Sequence, residues 1–299
     1  MEEVSSPLTG GASRLERTLS VAAIVEGYRR TVGTDISRFF DGIDQLQLRR
    51  CDQTGYGFFW PVLMGDSDFY ADLSRHDWFY KQDKWEYDQA TNYLAGAERL
   101  LDIGAGRGHF LSKAARLGIE PHGLEFNQQA VAEATSAGLS VEACLIDDHA
   151  RQRPAYYDVV TSFQVLEHVP DPKSFIAACV DVLKPGGKLI FGVPNDAGFV
   201  GLDDTVWLNR PPHHLSLWRP DSLRALTELF PLDLAAMDYE PLAEVDWYTT
   251  VMIERYLPGG WRRRLFERLG GRSLLRRAVE ENRESIHGHT VLAVYVKRA

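Results

Sequence analysis

The segment Gly104-Ala105-Gly106-Arg107-Gly108 follows the apolar run Leu100–Ile103 and precedes a helical pattern starting at His109. A strand, a glycine turn and a helix start form the cradle in which open α/β sheets hold nucleotide-like ligands. Glycine suits such a turn because it adopts backbone angles that other residues resist and lets a ligand approach the main chain. N–H groups left free at a helix start favour a negative group such as a carboxylate. The spacing is G-x-G-x-G with an acid, Asp102, two residues before the first glycine; dinucleotide sites use G-x-G-x-x-G. Glu125 falls about twenty residues further on, at the tip of the next strand pattern, where a carboxylate can accept hydrogen bonds from a ribose diol. Phe126 beside it can cover an adenine face, and Asp147 or Asp148 can accept from an adenine amino group.

The elements that must position these residues alternate regularly from Arg99 onward. Strand 99–103 leads to a helix reaching about Leu117; strand Glu120–Glu125 leads to helix Asn127–Ala137; a short strand follows at Val141–Leu145. Strand Asp158–Phe163 precedes a helix at Pro172–Leu183, and Lys184-Pro185-Gly186-Gly187 turns into strand Lys188–Val193. Such repetition predicts a parallel sheet covered on both faces, with ligands outside the carboxyl ends of its strands. A helix at Pro220–Phe230, a strand near Leu232–Asp238, a helical insertion to about Ile286 and a final strand His289–Lys297 complete the chain.

Ahead of this core, Met1–Ser13 is small and polar and reads as disordered. Leu15, Leu19, Ala22, Val25 and Tyr28 recur at helical spacing and predict a helix ending near Gly33. Leu46–Pro61 reads as a hairpin turning at Thr54-Gly55. The aromatic block Phe69–Tyr93 reads either as a face packed on the core or as a lid that stacks on a flat or cationic ligand.

Asp102–Gly108, Glu125, Asp158–His168 (DVVTSFQVLEH) with Val169-Pro170-Asp171-Pro172, and Lys184–Gly187 (KPGG) together resemble the class I S-adenosylmethionine-dependent methyltransferases. The resemblance covers Trp78–Asn195 closely and the last strand loosely. It implies a Rossmann-like three-layer α/β/α sandwich with a seven-stranded, mostly parallel sheet whose last strand is antiparallel. It implies S-adenosylmethionine as cofactor, with Gly104 and Gly106 near its methionine part and Asp102 organising the turn. Glu125 would bind the ribose, Phe163, Gln164 and the residues to Leu166 would line the methyl side, and Tyr80 and Trp85 would close over the cofactor. The extension before the core would span residues 1–93 and supply that lid. The core would comprise 94–239 and 287–299, and residues 240–286 would form a helical cap over substrate.

A sulfonium already activates its methyl group, so the protein must align the reactants and exclude water. A hydroxyl or carbon acceptor must also lose a proton, and His213 and His214, just past the strand-five tip, are the candidate general bases. The alternative for either is a structural hydrogen bond, which is the role expected of His168. No metal is expected. Catechol-type relatives hold Mg²⁺ through acids after strands four and five, and here Asn195-Asp196 is matched by Gln164 rather than an acid.

Composition narrows the partners. With 299 residues and a net charge of −9, the chain is not a nucleic-acid binder. Cys51, Cys144 and Cys179 are scattered and suggest neither a disulfide framework nor zinc. No signal-like or membrane-spanning run is present, so a cytoplasmic protein is expected. Arg255–Arg277 carries eight arginines against one glutamate, interleaved with Trp261, Leu265, Leu269, Leu274 and Leu275. It reads as a helix on an anionic membrane surface, as a cap gripping phosphates, or as a solvated basic face. The layout before the core resembles methyltransferases of surface-polysaccharide and natural-product pathways. The expected acceptor is therefore small or carrier-linked, a saccharide methylated at oxygen or carbon; the alternatives are a lipid or quinone acceptor, or a non-catalytic cofactor-binding module.

Overall fold

The computed structural model describes residues 4–76 and 78–299. Its strands, in chain order, are β1 (Ser13–Ser20), β2 (Gln45–Cys51), β3 (Gly57–Trp60), β4 (Arg99–Ile103), β5 (Glu120–Leu124), β6 (Ser140–Glu142), β7 (Tyr157–Phe163), β8 (Leu183–Pro194), β9 (Ser216–Leu217), β10 (Leu232–Pro241) and β11 (His287–Lys297). Seven of them form one sheet in the order β10-β11-β8-β7-β4-β5-β6. Only β11 runs against the rest, antiparallel to both β10 and β8. This is the sheet expected from the sequence, and helices cover both of its faces. Neighbouring residues along each strand enter opposite cores: Leu101, Val160, Leu189 and Ala293 pack on one side, Leu100, Val159, Ile190 and Leu292 on the other. Burial on both faces is why these strands read as unbroken apolar runs.

A second sheet, β1-β2-β3-β9, was not anticipated. The hairpin of β2 and β3 is as predicted, but it is flanked by two strands that the sequence concealed. Ser13–Ser20 is a strand, not the first half of a helix; the helix is Val21–Val32, capped by Ser20, whose hydroxyl accepts from Ala23 N, and closed by Gly33. Leu15 and Leu19 therefore belong to a different periodicity from Ala22, Val25 and Tyr28. The expectation of disorder before Ser13 is also overturned for residues 4–12. Val4 and Leu8 are buried in the main core, while Met1–Glu3 lie outside the described residues. The aromatic block divides: Phe69 and Tyr87 are core side chains, whereas Tyr80 faces the glycine turn.

The two sheets are joined by one buried cation. Arg50, on β2, is 1% exposed and donates to Glu16 of β1 and, at 3.1 Å, to Asp196 just beyond β8. Arg219 also donates to Asp196, at 2.6 Å. Strand β9 completes the attachment: it pairs with β3, and Leu215 N–H donates to the Glu167 carbonyl at 2.8 Å. The small sheet is thereby seated over the carboxyl ends of β7 and β8.

Between β10 and β11 lie the helices Val245–Tyr256, Gly260–Arg268 and Gly271–Asn282. The first and third pack around Phe199, Val200, Leu242 and Val279. Among the described residues, no helix is long and apolar enough to cross a membrane.

Removing one partner of a buried charge network leaves the others desolvated and unpaired. Arg50→Leu is expected to lower stability by about 3 kcal/mol, read from urea unfolding; an unchanged midpoint would show that the network does not join the sheets.

Candidate active site

The donor half of the site is built where β4 ends. Gly104, Gly106 and Gly108 all have positive φ, at 77°, 54° and 78°. All three are also required by close approach, Gly108 because a Cβ there would stand 2.3 Å from Leu139 Cδ1. A Cβ on Gly104 would stand 2.3 Å from Val165 Cγ2, and one on Gly106 would stand 3.2 Å from the Tyr80 ring. The Gly104 and Ala105 N–H groups donate to Leu124 O at 2.8 and 3.0 Å, tying the turn to the tip of β5. Glu125 then reaches back. Its Oε2 accepts from Gly106 N and its Oε1 from Asn127 N, each at 2.8 Å. A carboxylate offers about four acceptor sites, so two hydrogen bonds fix its orientation and leave capacity for a diol.

Asp102 lies beneath the turn, 2% exposed, accepting from the Thr161 hydroxyl at 2.8 Å; burial pushes its carboxyl up to about 7. Tyr80 lies across Gly106, with the Arg107 guanidinium 5.2 Å from its ring centre, and burial pushes its hydroxyl up to about 12. Phe126 stands 63% exposed beside Glu125. The structure thus gathers Tyr80, Asp102, Gly104, Gly106, Glu125 and Phe126 around one turn.

Four other candidates are placed less directly. Trp85 opens the helix Trp85–Thr91 and packs half-buried against the second core. Asp147 is half-buried in the first turn of helix Ile146–Gln152, where its neighbour Asp148 pairs with Arg151. The Phe163 ring points into the core, 4.8 Å from Phe110 and 5.2 Å from Tyr87, so its side chain is engaged in packing. Gln164 follows it with φ 57°, an uncommon angle for a side-chain-bearing residue. It is held there by its N–H donating to Gly192 O at 2.7 Å.

The candidate acceptor half lies beside this at the ends of β7 and β8, where the three-residue helix Leu166–His168 meets the loop before β9. Tyr28, fully buried on the Val21–Val32 helix, donates its hydroxyl to Arg210 O at 2.7 Å and so fixes that loop. His213 and His214 stack at 4.7 Å, and His168 stands 4.5 and 4.8 Å from them. Two of the rings are braced by main-chain carbonyls. His168 Nδ1 bonds His213 O at 2.6 Å and His213 Nδ1 bonds Leu208 O at 3.2 Å. His214 lines a small cavity together with Glu167, Asn209, Ser216 and Trp218.

Glu167 is the residue the sequence reading missed. It is 1% exposed, and neither carboxylate oxygen has a hydrogen-bond partner among the described residues. The imidazoles nearest to it are His168, with Nε2 at 3.9 Å, and His214, with Nε2 at 4.0 Å. Burial pushes Glu167 up to about 8, lowers His168 to about 4 and holds His213 and His214 well below their ordinary value. One nitrogen from each of the three rings lies within 4.8 Å of the others, a spacing that could share a metal ion. Asp196, the acid considered for Mg²⁺, is instead engaged by Arg50 and Arg219.

A reversed last strand, a glycine turn and an acid at the neighbouring tip are the arrangement of proteins that bind S-adenosylmethionine for methyl transfer. A family model described as a methyltransferase domain matches residues 78–235. The chain is 32% identical over 188 residues to a ubiquinone biosynthesis O-methyltransferase of Shewanella sp. (strain ANA-3), covering 57% of this chain and 79% of that protein. It is 31% identical over 178 residues to one of Albidiferax ferrireducens, covering 54% and 71%. In fold it is similar to a SAM-dependent methyltransferase from Archaeoglobus fulgidus, with TM-score 0.54 and 18% identity, covering 78% of this chain and all of that one. The chain belongs to this methyltransferase-domain family and is a class I S-adenosylmethionine-dependent methyltransferase.

Gly104→Ala is expected to abolish detectable S-adenosylhomocysteine binding by calorimetry, since it combines a 2.3 Å clash with φ 77°. Val165→Ala in the same chain relieves the clash but not the backbone angle, so it should restore binding only in part. Glu125→Ala is expected to weaken binding about tenfold or more by removing charged hydrogen bonds.

Proposed function

We propose that this enzyme methylates a hydroxyl oxygen of a quinone-like phenol carried on a lipid, with Glu167 and His214 as the pair that receives its proton. The observation that carries the reading is Glu167, a buried carboxyl without a hydrogen-bond partner among the described residues, facing His214 beside a small cavity that both residues line. The names of the two O-methyltransferase relatives support oxygen as the methylated atom and a quinone-type acceptor. They lend none to the saccharide suggested by the layout of the amino-terminal segment.

S-adenosylmethionine supplies an electrophilic methyl group. Glu125 would hold its ribose, with Gly104 and Gly106 beside its methionine part, Tyr80 and Phe126 as flat covers, and Asp102 setting the turn from beneath. The acceptor enters over the loop that follows β7. A base is most useful when its pKa lies near the working pH, and burial brings Glu167 into that range. In the ionised form Glu167 accepts the hydroxyl proton, and His214 across from it steadies the charge. His213, with its Nδ1 turned to Leu208 O, positions its neighbour. The small sheet above these residues excludes water. Residues 1–93 act in this reading as roof and lid, and the Glu167 site works without a metal.

Glu167→Gln is expected to lower kcat by about 10²–10³ while leaving S-adenosylhomocysteine affinity unchanged. Because the base acts when deprotonated, the wild-type rate should climb as pH rises towards about 8 and level off above it; the Gln variant should lose that dependence. Turnover unaltered in both His213→Ala and His214→Ala would remove the histidines from the mechanism. Dialysis against a chelator should leave the rate unchanged, whereas loss restored by a divalent ion would reassign the His168, His213 and His214 nitrogens to a metal.

A further inference from the structure

The helix Gly260–Arg268 has no buried residue along its length. Trp261, Leu265 and Leu269 recur every fourth residue and are 65%, 46% and 76% exposed. Such spacing lays them along one stripe of a helix. Leu274, on the adjoining Gly271–Asn282 helix, is 72% exposed, and Tyr256, just before the hairpin, is 75% exposed. A soluble surface tolerates single apolar side chains, but a contiguous set marks a contact.

The polar residues around this stripe are cationic. Arg263 pairs with Glu267, and Arg276 with Asp246. Arg255, Arg262, Arg264, Arg268 and Arg277 have no carboxylate partner among the described residues. The surrounding chain is acidic overall, with net charge −9, so this concentration of positive charge is local. Tryptophan, leucine and arginine on one protruding helix suit the boundary between lipid head groups and acyl chains. A nucleic acid would use the arginines but leave the leucines in water.

Topology sets the direction of this surface. The hairpin departs after β10 and returns into β11. Its supporting helix packs on Phe199 through Trp247, ring centres 4.7 Å apart, and Phe199 lies just beyond the end of β8. The cationic hairpin therefore lies at the carboxyl end of the sheet, the end that carries Glu167 and His214.

We infer that the hairpin Gly260–Asn282 seats the enzyme on an anionic lipid bilayer, with Trp261, Leu265, Leu269 and Leu274 entering the head-group boundary and the free arginines contacting lipid phosphates. This builds on the lipid-linked acceptor proposed above, yet its test needs no acceptor. The full chain is sedimented at low salt with vesicles of phosphatidylcholine alone and with vesicles that also contain phosphatidylglycerol. Binding is expected only to the second, and it should fade as salt is raised. Two exposed-surface variants divide the contributions: Trp261→Ala/Leu265→Ala/Leu269→Ala and Arg262→Ala/Arg264→Ala/Arg268→Ala. Each should bind about tenfold or more weakly, with S-adenosylhomocysteine affinity unchanged as the control for folding. No sedimentation of the wild type overturns the inference. So does undiminished binding by the apolar variant, which would leave only adsorption of a cationic face. A change in oligomeric state on removing the leucines, without loss of vesicle binding, would assign the stripe to a second copy of the chain. Vesicle binding without turnover on any quinol overturns the acceptor reading and leaves this one standing.

Discussion

A guanidinium sealed from water between two acids holds the molecule's two sheets together. Arg50 cannot release its proton and cannot reach solvent, so Glu16 and Asp196 must stay beside it. Buried ion pairs add little net stability over apolar packing, because desolvation offsets the attraction. What this one supplies is placement. It fixes β2, and through β3 the short β9, against the loop after β7. That contact takes Glu167 out of water, and the loss of hydration raises its affinity for a proton. Burial under the attached sheet is thus what raises Glu167, and Arg50 is one of the groups that hold that sheet in place.

The two halves of the site are assembled by different means. The donor half is local: turn, strand tip and Glu125 lie within Asp102–Asn127, and the main chain does most of the holding. The proposed acceptor half is drawn from three distant segments, the Val21–Val32 helix, the Leu166–His168 turn and the loop carrying His213 and His214. Side chains and carbonyls clamp these together. A general nucleotide cradle is thus combined with a pocket that depends on the attached sheet.

This division explains what the sequence disclosed. The strands from Arg99 onward and the glycine turn were legible because their signals are short-range: apolar runs, a period, and backbone angles reserved for glycine. Ser13–Ser20 was misread because its leucines happen to continue the spacing of the following helix. The capping serine at position 20 was the available sign of a boundary. Val4 and Leu8 looked like tail residues because their partners lie in a core built elsewhere in the chain. Strand β9 is two residues long, too short to show a period. Glu167 stood in plain view within an otherwise apolar stretch, but its burial is decided by Leu215 and β9, which no local pattern foretells. The histidine pair was visible as a type. Only the folded loop, where His213 is tied to the Leu208 carbonyl and His214 lines the cavity, distinguishes the ring that faces the cavity from the one that braces it.

The same clamp bears on how the enzyme comes into being. Tyr28 and Arg210 are 182 residues apart in the chain, and Arg50 and Asp196 are 146 apart. Contacts of such separation form late, because the entropy of closing a long loop must be overcome before they can form. On the ribosome the first helix emerges early and finds most of its core partners by Leu73, but its clamp on the Arg210 carbonyl must wait for most of the polypeptide. The glycine turn and Glu125 close over 19 residues, so the cradle can mature while the proposed acceptor pocket still lacks the Arg210 loop that Tyr28 holds.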